Sequence, residues 1–356
     1  MMTNRQRLDA AFALQPVDRP PALGGWIADP AKVMALTGVT EDEYWGNPVP
    51  ISIEAYRRLG VDGLLDVNVP SERGGYTLVT ESQMAERASY DGPEDMIAEI
   101  ERLPSPEEVV AQFDEEAEFA KGVAEMRRMQ DLCRPGLYWC PARWEVIPNF
   151  EWYRVYGYEN YLLAIALHEQ HVLRLYRHSA ALAGCRARVV ARMVREGLHP
   201  RAMLCGQDIC SGRGPMVSPA FLRQHYFPLV KEAIRPLREA GAKLVWHCDG
   251  DVRPILGDIL ALGVGGLQGF QQECGVRLED IVERCTLDGE KLLIFGPVSV
   301  VRTLLEETPD GVKQAVRQAV RTCEGKASLV LFTSNEILPD VPMQNMCALY
   351  EALREL

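Results

Sequence analysis

KLVWHCDGD, residues 243–251, is an apolar run that ends abruptly in a histidine, a cysteine and two carboxylates. Such a run reads as a buried parallel strand whose far end opens into a site. Alternate side chains on a strand share a face. His247 and Asp249 should therefore point together, with Cys248 turned away, unless the strand has already bent into its loop at Asp249. An imidazole and a carboxylate converging at a strand end suit a metal or acid/base chemistry.

Outward from this stretch the alternation is regular. Upstream, residues 219–240 carry Leu222, Phe227, Leu229, Ile234 and Leu237 in helical pattern, with kinks expected at Pro228 and Pro236 and a stop at Gly241. Downstream, a helix over 252–262 leads to a strand over 265–270, and a helix over 278–285 to a strand over 291–295. Helices between 300 and 322 precede a strand over 328–333, and a last helix covers 343–356. In the N-terminal half, Thr3 or Asn4 caps a short helix ended by Pro16, and strands are predicted at 21–26, 61–69, 137–140 and 201–206. Helical patterning fills residues after Glu81, 105–132 and about 160–195. Eight strands with intervening helices predict an α/β chain folded as a single (β/α)8 barrel domain over 1–356, with helical N-terminal additions. An open doubly wound sheet is the alternative. CSGRGP at 210–215 has neither the Walker lysine spacing nor GxGxxG, so no phosphate-binding loop is indicated.

Composition narrows the function classes. A chain of 356 residues with 47% hydrophobic content can bury a large core. Its net charge of -12 argues against nucleic acid or an anionic membrane as the main partner. No apolar stretch is long enough to span a bilayer, and MMTNRQRLDAAF lacks the apolar centre of a signal peptide, so a cytoplasmic protein is expected. The 10 cysteines form no CxxC pair and are expected to be reduced, mostly packed thiols.

Barrel enzymes place their reacting groups at the carboxyl ends of the strands. Polar residues at those ends are Asp66 and Asn68 after the second strand, Arg143 and Glu145 after the third, and Gln207 and Asp208 after the fourth. His247 and Asp249 follow the fifth, Gln271, Gln272 and Glu273 the sixth, and Ser334, Asn335 and Glu336 the eighth. Loops are polar simply because they are wet, but His247, Asp208 and Glu273 are the candidate catalytic groups. Asp66, Trp144, Gln272 and Asn335 are candidate substrate contacts. HEQH at 168–171 lacks the HExxH spacing and reads as a solvated helix face, while Cys205 and Cys210 read as packed thiols. Trp26, Tyr138, Trp139 and Trp144 either line a pocket or pack in the core.

The segment GQDICSGRGPMVSPAFLRQHYFPLVKEAIRPLREAGAKLVWHCDGDVRPILGDILALGVGGLQGF, residues 206–270, resembles the uroporphyrinogen decarboxylase superfamily, and most closely its corrinoid-dependent methyltransferases. NRQRLDAAFALQPVDRPP near the start, GYEN at 157–160 and TSNEILPDVPMQN near the end carry the same resemblance. It implies a (β/α)8 barrel with the site at the carboxyl end. Heme-pathway decarboxylases bind their tetrapyrrole carboxylates with an arginine-rich segment near the first strand. Here that region reads PPALGGWIADP, with no arginine between Arg19 and Arg57, although Asp66 lies near the place of the decarboxylases' catalytic aspartate.

The zinc-dependent methyltransferases use a His-x-Cys pair at the fifth strand and a further cysteine after the eighth, and their metal holds a thiol acceptor as thiolate. His247 matches the histidine, but Asp249 and Asn335 stand in the places of the cysteines. The resemblance therefore implies either a harder metal site of His247, Asp249 and Glu336 in place of a thiolate-rich zinc site, or no metal. Without a DxHxxG sequence for cobalamin, the corrinoid is expected on a partner protein, with a small-molecule methyl donor or acceptor as substrate. A decarboxylase-like lyase and a noncatalytic small-molecule binder on the same barrel are the competing readings.

Overall fold

Eight short parallel strands carry the architecture in a computed structural model, which describes residues 1–71, 73 and 90–356. They are β1 (Leu23–Gly24), β2 (Gly63–Leu64), β3 (Tyr138–Trp139), β4 (Ala202–Gly206), β5 (Lys243–His247), β6 (Gly266–Gln268), β7 (Leu293–Val298) and β8 (Ser328–Thr333). One ladder runs β1-β2-β3 and a second runs β4-β5-β6-β7-β8, every pair parallel. Two backbone contacts close the ring. Ala22 bridges Leu331 on β8, and the Arg143 N–H donates to the Leu204 carbonyl at 2.7 Å, joining the end of β3 to β4. The result is a TIM-type barrel.

Strand alternation sorts the side chains into two layers. Leu204, Val245, Phe295, Val330 and Phe332 fill the barrel interior with Leu8, Ala11 and Phe12 of the first helix, Asn4–Phe12. Met203, Cys205, Leu244, Trp246 and Ile294 pack outward against the surrounding helices. Buried on both faces, the strands read as continuous apolar runs. Thr3 caps the first helix by accepting from the Gln6 N–H. Arg7 then reaches Asp62 at 2.6 Å, Arg19 binds the same fully buried carboxylate at 2.8 Å, and the Ala22 N–H donates to it. This network ties the helix to the start of β2.

The helices follow the sequence pattern but break where the chain cannot continue. The expected 160–195 helix is two, Tyr158–Leu167 and Glu169–Arg195, and the expected 105–132 helix divides into Pro106–Gln112 and Glu115–Cys133, the second capped by Asp114. The segment 219–240 is more broken than two kinks. Pro228 has no N–H for the Gln224 carbonyl, and the preceding turn, Leu222–Tyr226, widens until the Phe227 N–H reaches the Leu222 oxygen. The helix then runs Phe227–Ala233 and restarts as Arg235–Glu239 around Pro236. The helical pattern expected immediately after Glu81 lies outside the described residues.

Candidate active site

The carboxyl ends of the strands surround a cavity of about 560 Å³. His247, the last residue of β5, stands in its wall between two tryptophans. Gly206 makes this position possible. Its φ is +139°, and a Cβ there would lie 2.1 Å from the His247 carbonyl oxygen, so only glycine lets the ends of β4 and β5 approach so closely.

Gln268, at the end of β6, fixes the imidazole. Its amide nitrogen donates to the carbonyls of Thr333 and Ser334 at 2.8 and 3.1 Å, so its oxygen must face His247 Nδ1, with which it forms a short contact. Nδ1 therefore carries the proton, and Nε2 looks toward the carboxylates. Asp208 Oδ1 lies 3.4 Å from Nε2 and also accepts the Asp249 N–H at 2.8 Å. Asp249 Oδ1 lies 3.9 Å from Nε2. Asn335 donates to Asp249 Oδ2 at 2.6 Å, while Asp249 Oδ1 is buried without a hydrogen-bond partner.

Burial would push the His247 pKa down, but the hydrogen bond and charge of Asp208 outweigh it and hold the imidazole near 9. Burial also acts to raise Asp208, yet the His247 hydrogen bond and charge bring it down to about 2. Asp249 lacks such a partner, and burial lifts its carboxyl to about 7 against the pull of His247. Burial likewise raises Glu151, with the neighbouring Asp208 charge adding to it, and burial raises Asp66.

Most of the residues singled out from sequence meet here. His247, Asp208, Asp249, Asp66, Trp144, Asn335 and Glu336 all line the cavity, as do Trp26, Asn68 and Gln207. Cys248 turns away into a buried position, as alternation requires. Two expectations need correction. Glu273 does not reach the cavity and accepts from the Ser299 hydroxyl at 3.2 Å, while Gln272 lines a separate groove with Arg277 and Arg302. The reason is the length of β6, which ends at Gln268 rather than 270. Gly269, with φ +94°, then swings the chain outward, leaving Gln268 as the residue that faces the site. The expected ligand set of His247, Asp249 and Glu336 is also revised. Among the described residues, the group able to surround one ion is Asp208, His247 and Asp249, whose ligand atoms lie within 4.8 Å of one another. β4 adjoins β5, whereas Glu336 follows the distant β8 and accepts from Asn68 at 2.8 Å.

Four lining residues escaped the sequence reading: Asn149, Glu151, Arg154 and Val155, from the segment after β3. Gln207 accepts the Phe150 N–H at 2.7 Å and pins this segment over the cavity. Arg154 pairs with Glu151 and lies 3.2 Å from Asp208. Their signal was the opposite charges three residues apart in NFEWYR, which nothing in the local pattern directs inward.

These features define a TIM-type barrel whose polar cavity, centred on a histidine at the fifth strand, opens at the carboxyl ends. Residues 181–356 match the family model for uroporphyrinogen decarboxylase (URO-D), which supports a place for the chain in the uroporphyrinogen decarboxylase superfamily. Among solved structures, a methyltransferase from Methanosarcina mazei superposes with a TM-score of 0.63 at 17% identity, over 100% of this chain and 99% of that one. No curated protein matches the chain.

Proposed function

We propose that the chain is a cytoplasmic corrinoid-dependent methyltransferase that moves a methyl group between a small molecule and the cobalt of a corrinoid carried by a separate protein. The observation that carries this reading is His247. By the sequence resemblance it matches the methyltransferases' histidine, and Gln268 holds it with Nε2 toward the cavity. Decarboxylation of a polycarboxylate is the weaker reading. Among the described residues, the cavity wall has five carboxylates against Arg154 and His247, and Arg154 is already engaged by Glu151 and Asp208. Further anionic groups would be buried there without partners.

Asp208, His247 and Asp249 fit a divalent ion. Their donor atoms converge, and the partnerless Asp249 oxygen is an available ligand. Two carboxylates and an imidazole suit a harder ion than a thiolate-rich site does. When bound, such an ion would act as a Lewis acid toward the heteroatom that exchanges the methyl group. The chain's own groups do the rest. Gln268 orients His247, and Asn335 holds Asp249 Oδ2, turning Oδ1 toward the donors of Asp208 and His247. Trp26 and Trp144 restrict water around the imidazole.

The test incubates the purified protein with cob(I)alamin or methylcobalamin and candidate small molecules, follows the cobalt–carbon absorbance, and measures bound metal. Methyl exchange that His247→Ala reduces at least a hundredfold, with loss of any bound metal, is the expected result. Decarboxylation of uroporphyrinogen at an enzymic rate, with no methyl exchange, would overturn the proposal.

A further inference from the structure

Asp208 is held in the cluster by a segment that the fold brings from another strand. After β3, residues 149–154 lie against the turn that follows β4, and they meet Asp208 on three sides. Glu151 accepts the Asp208 N–H at 3.0 Å, the Tyr153 hydroxyl donates to the Asp208 carbonyl at 3.2 Å, and Arg154 donates to the side-chain oxygen Oδ2 at 3.2 Å. The other side-chain oxygen, Oδ1, accepts the Asp249 N–H and faces His247 Nε2. Arg154 is itself fixed, paired with Glu151 and lying over the Tyr153 ring with its guanidinium carbon 5.8 Å from the centroid.

Each side chain of the cluster is thereby divided in the same way. One atom is turned to its neighbours while another is held from behind: Asp208 Oδ2 by Arg154, Asp249 Oδ2 by Asn335 and His247 Nδ1 by Gln268. Of these three holders, Arg154 alone carries a charge. A carboxylate with one oxygen bonded to a guanidinium has only the other to give, so Asp208 offers a single donor rather than a chelating pair. Three single donors leave a divalent ion with its coordination unfilled. The guanidinium charge beside Asp208 also weakens the pull of that carboxylate on a cation. Both effects keep a bound ion electrophilic.

We propose that Arg154 is a positioning residue that restricts Asp208 to coordination through Oδ1 and so keeps a place on the divalent ion open for the heteroatom of the substrate. The inference rests on the ion site proposed above. Anchoring the 149–154 segment does not require this guanidinium, because Gln207 holds the Phe150 N–H and both Glu151 and Tyr153 bond the Asp208 backbone.

Titration of metal-free protein with Co(II) tests the inference through the visible absorbance, which is intense when cobalt has few ligands and faint when its coordination is full. Wild type should bind Co(II) saturably and give intense bands. Arg154→Met, which releases Oδ2 to chelate, should bind about tenfold more tightly and give bands about half as intense or weaker. Arg154→Lys, which keeps a cation beside Oδ2, should stay close to wild type in both. The Arg154 side chain is nearly half exposed, so neither change disturbs the core. Weaker binding by Arg154→Met with unchanged bands marks a merely structural residue and would overturn the inference, as would a titration identical to wild type. Absence of saturable Co(II) binding by the wild type would overturn the ion site and the inference with it. The expected spectra in a protein that exchanges no methyl group would support the role of Arg154 and count against the methyltransferase reading.

Discussion

His247 shows how one side chain can be held by neighbours that arrive from four other strands. Gln268 takes Nδ1, Asp208 faces Nε2, and the Trp26 and Trp144 rings stand nearly perpendicular to the imidazole with centroids 5.7 and 5.6 Å from it. The folded-state pKa near 9 exceeds the ordinary 6.5 because Asp208 outweighs burial. A group raised in this way contributes stability that is complete below 6.5 and disappears as the pH climbs through 9. Asp208, lowered to about 2, contributes above its ordinary 3.8 and loses that contribution only as the pH falls through 2. In metal-free protein, the melting temperature of wild type should therefore exceed that of His247→Asn most between pH 4 and 6.5, and the gap should shrink by pH 9.5, a window set by these shifts. Thermal melts across that range check it. A gap that is constant with pH would mean the imidazole is not ion-paired.

At the scale of elements, the site depends on how strand ends meet. β4 ends in Gly206, whose backbone conformation and lack of a Cβ let it pair with His247. Gly206→Ala should cost about 3 kcal/mol or more in urea denaturation, since a left-handed conformation and a steric overlap with backbone are imposed together. A loss below about 1 kcal/mol would mean that the strand end yields easily. β6 illustrates the opposite problem of reading. Its residues 265–270 look like a single strand, yet Gly269 ends it early, so Gln268 rather than Glu273 serves the site. Glycine within an apolar run can mark either a bend or a tight packing contact, and only the neighbouring strands distinguish them. The same holds for 219–240, where Pro228 marked the defect but not the widened turn that accommodates it.

Over the whole molecule, the site end and the opposite end of the barrel are stabilised differently. At the far end, Asp62 is fully buried and satisfied by Arg7, Arg19 and the Ala22 N–H. Asp62→Ala would remove a carboxylate shared by two arginines, leaving the almost wholly buried Arg7 to Asp18, and should lower unfolding free energy by about 2 kcal/mol or more. Denaturation of wild type and variant gives the comparison, and a loss under about 1 kcal/mol would show that the network adds little beyond burial. The cavity end carries the less comfortable chemistry, with carboxylates clustered and an acceptor left without a partner. Such local conflict in an otherwise consistent structure belongs to a functional site.

The eight strands, their order and the polar residues at their ends were legible in the sequence, because a buried parallel strand and an amphipathic helix differ in hydrophobic period and length. So was the His247–Asp249 pair, since alternation along a strand is local. Which carboxylate completes the cluster was not. Asp208 and Glu336 look equivalent in sequence, but barrel closure places β4 beside β5 and sends β8 toward β1 and β2. Glu151 and Arg154 were invisible for the same reason, since a loop of irregular backbone takes its direction from its anchor, here Gln207. Local periodicity determines elements, whereas the meeting of side chains far apart in the chain is decided by how those elements pack.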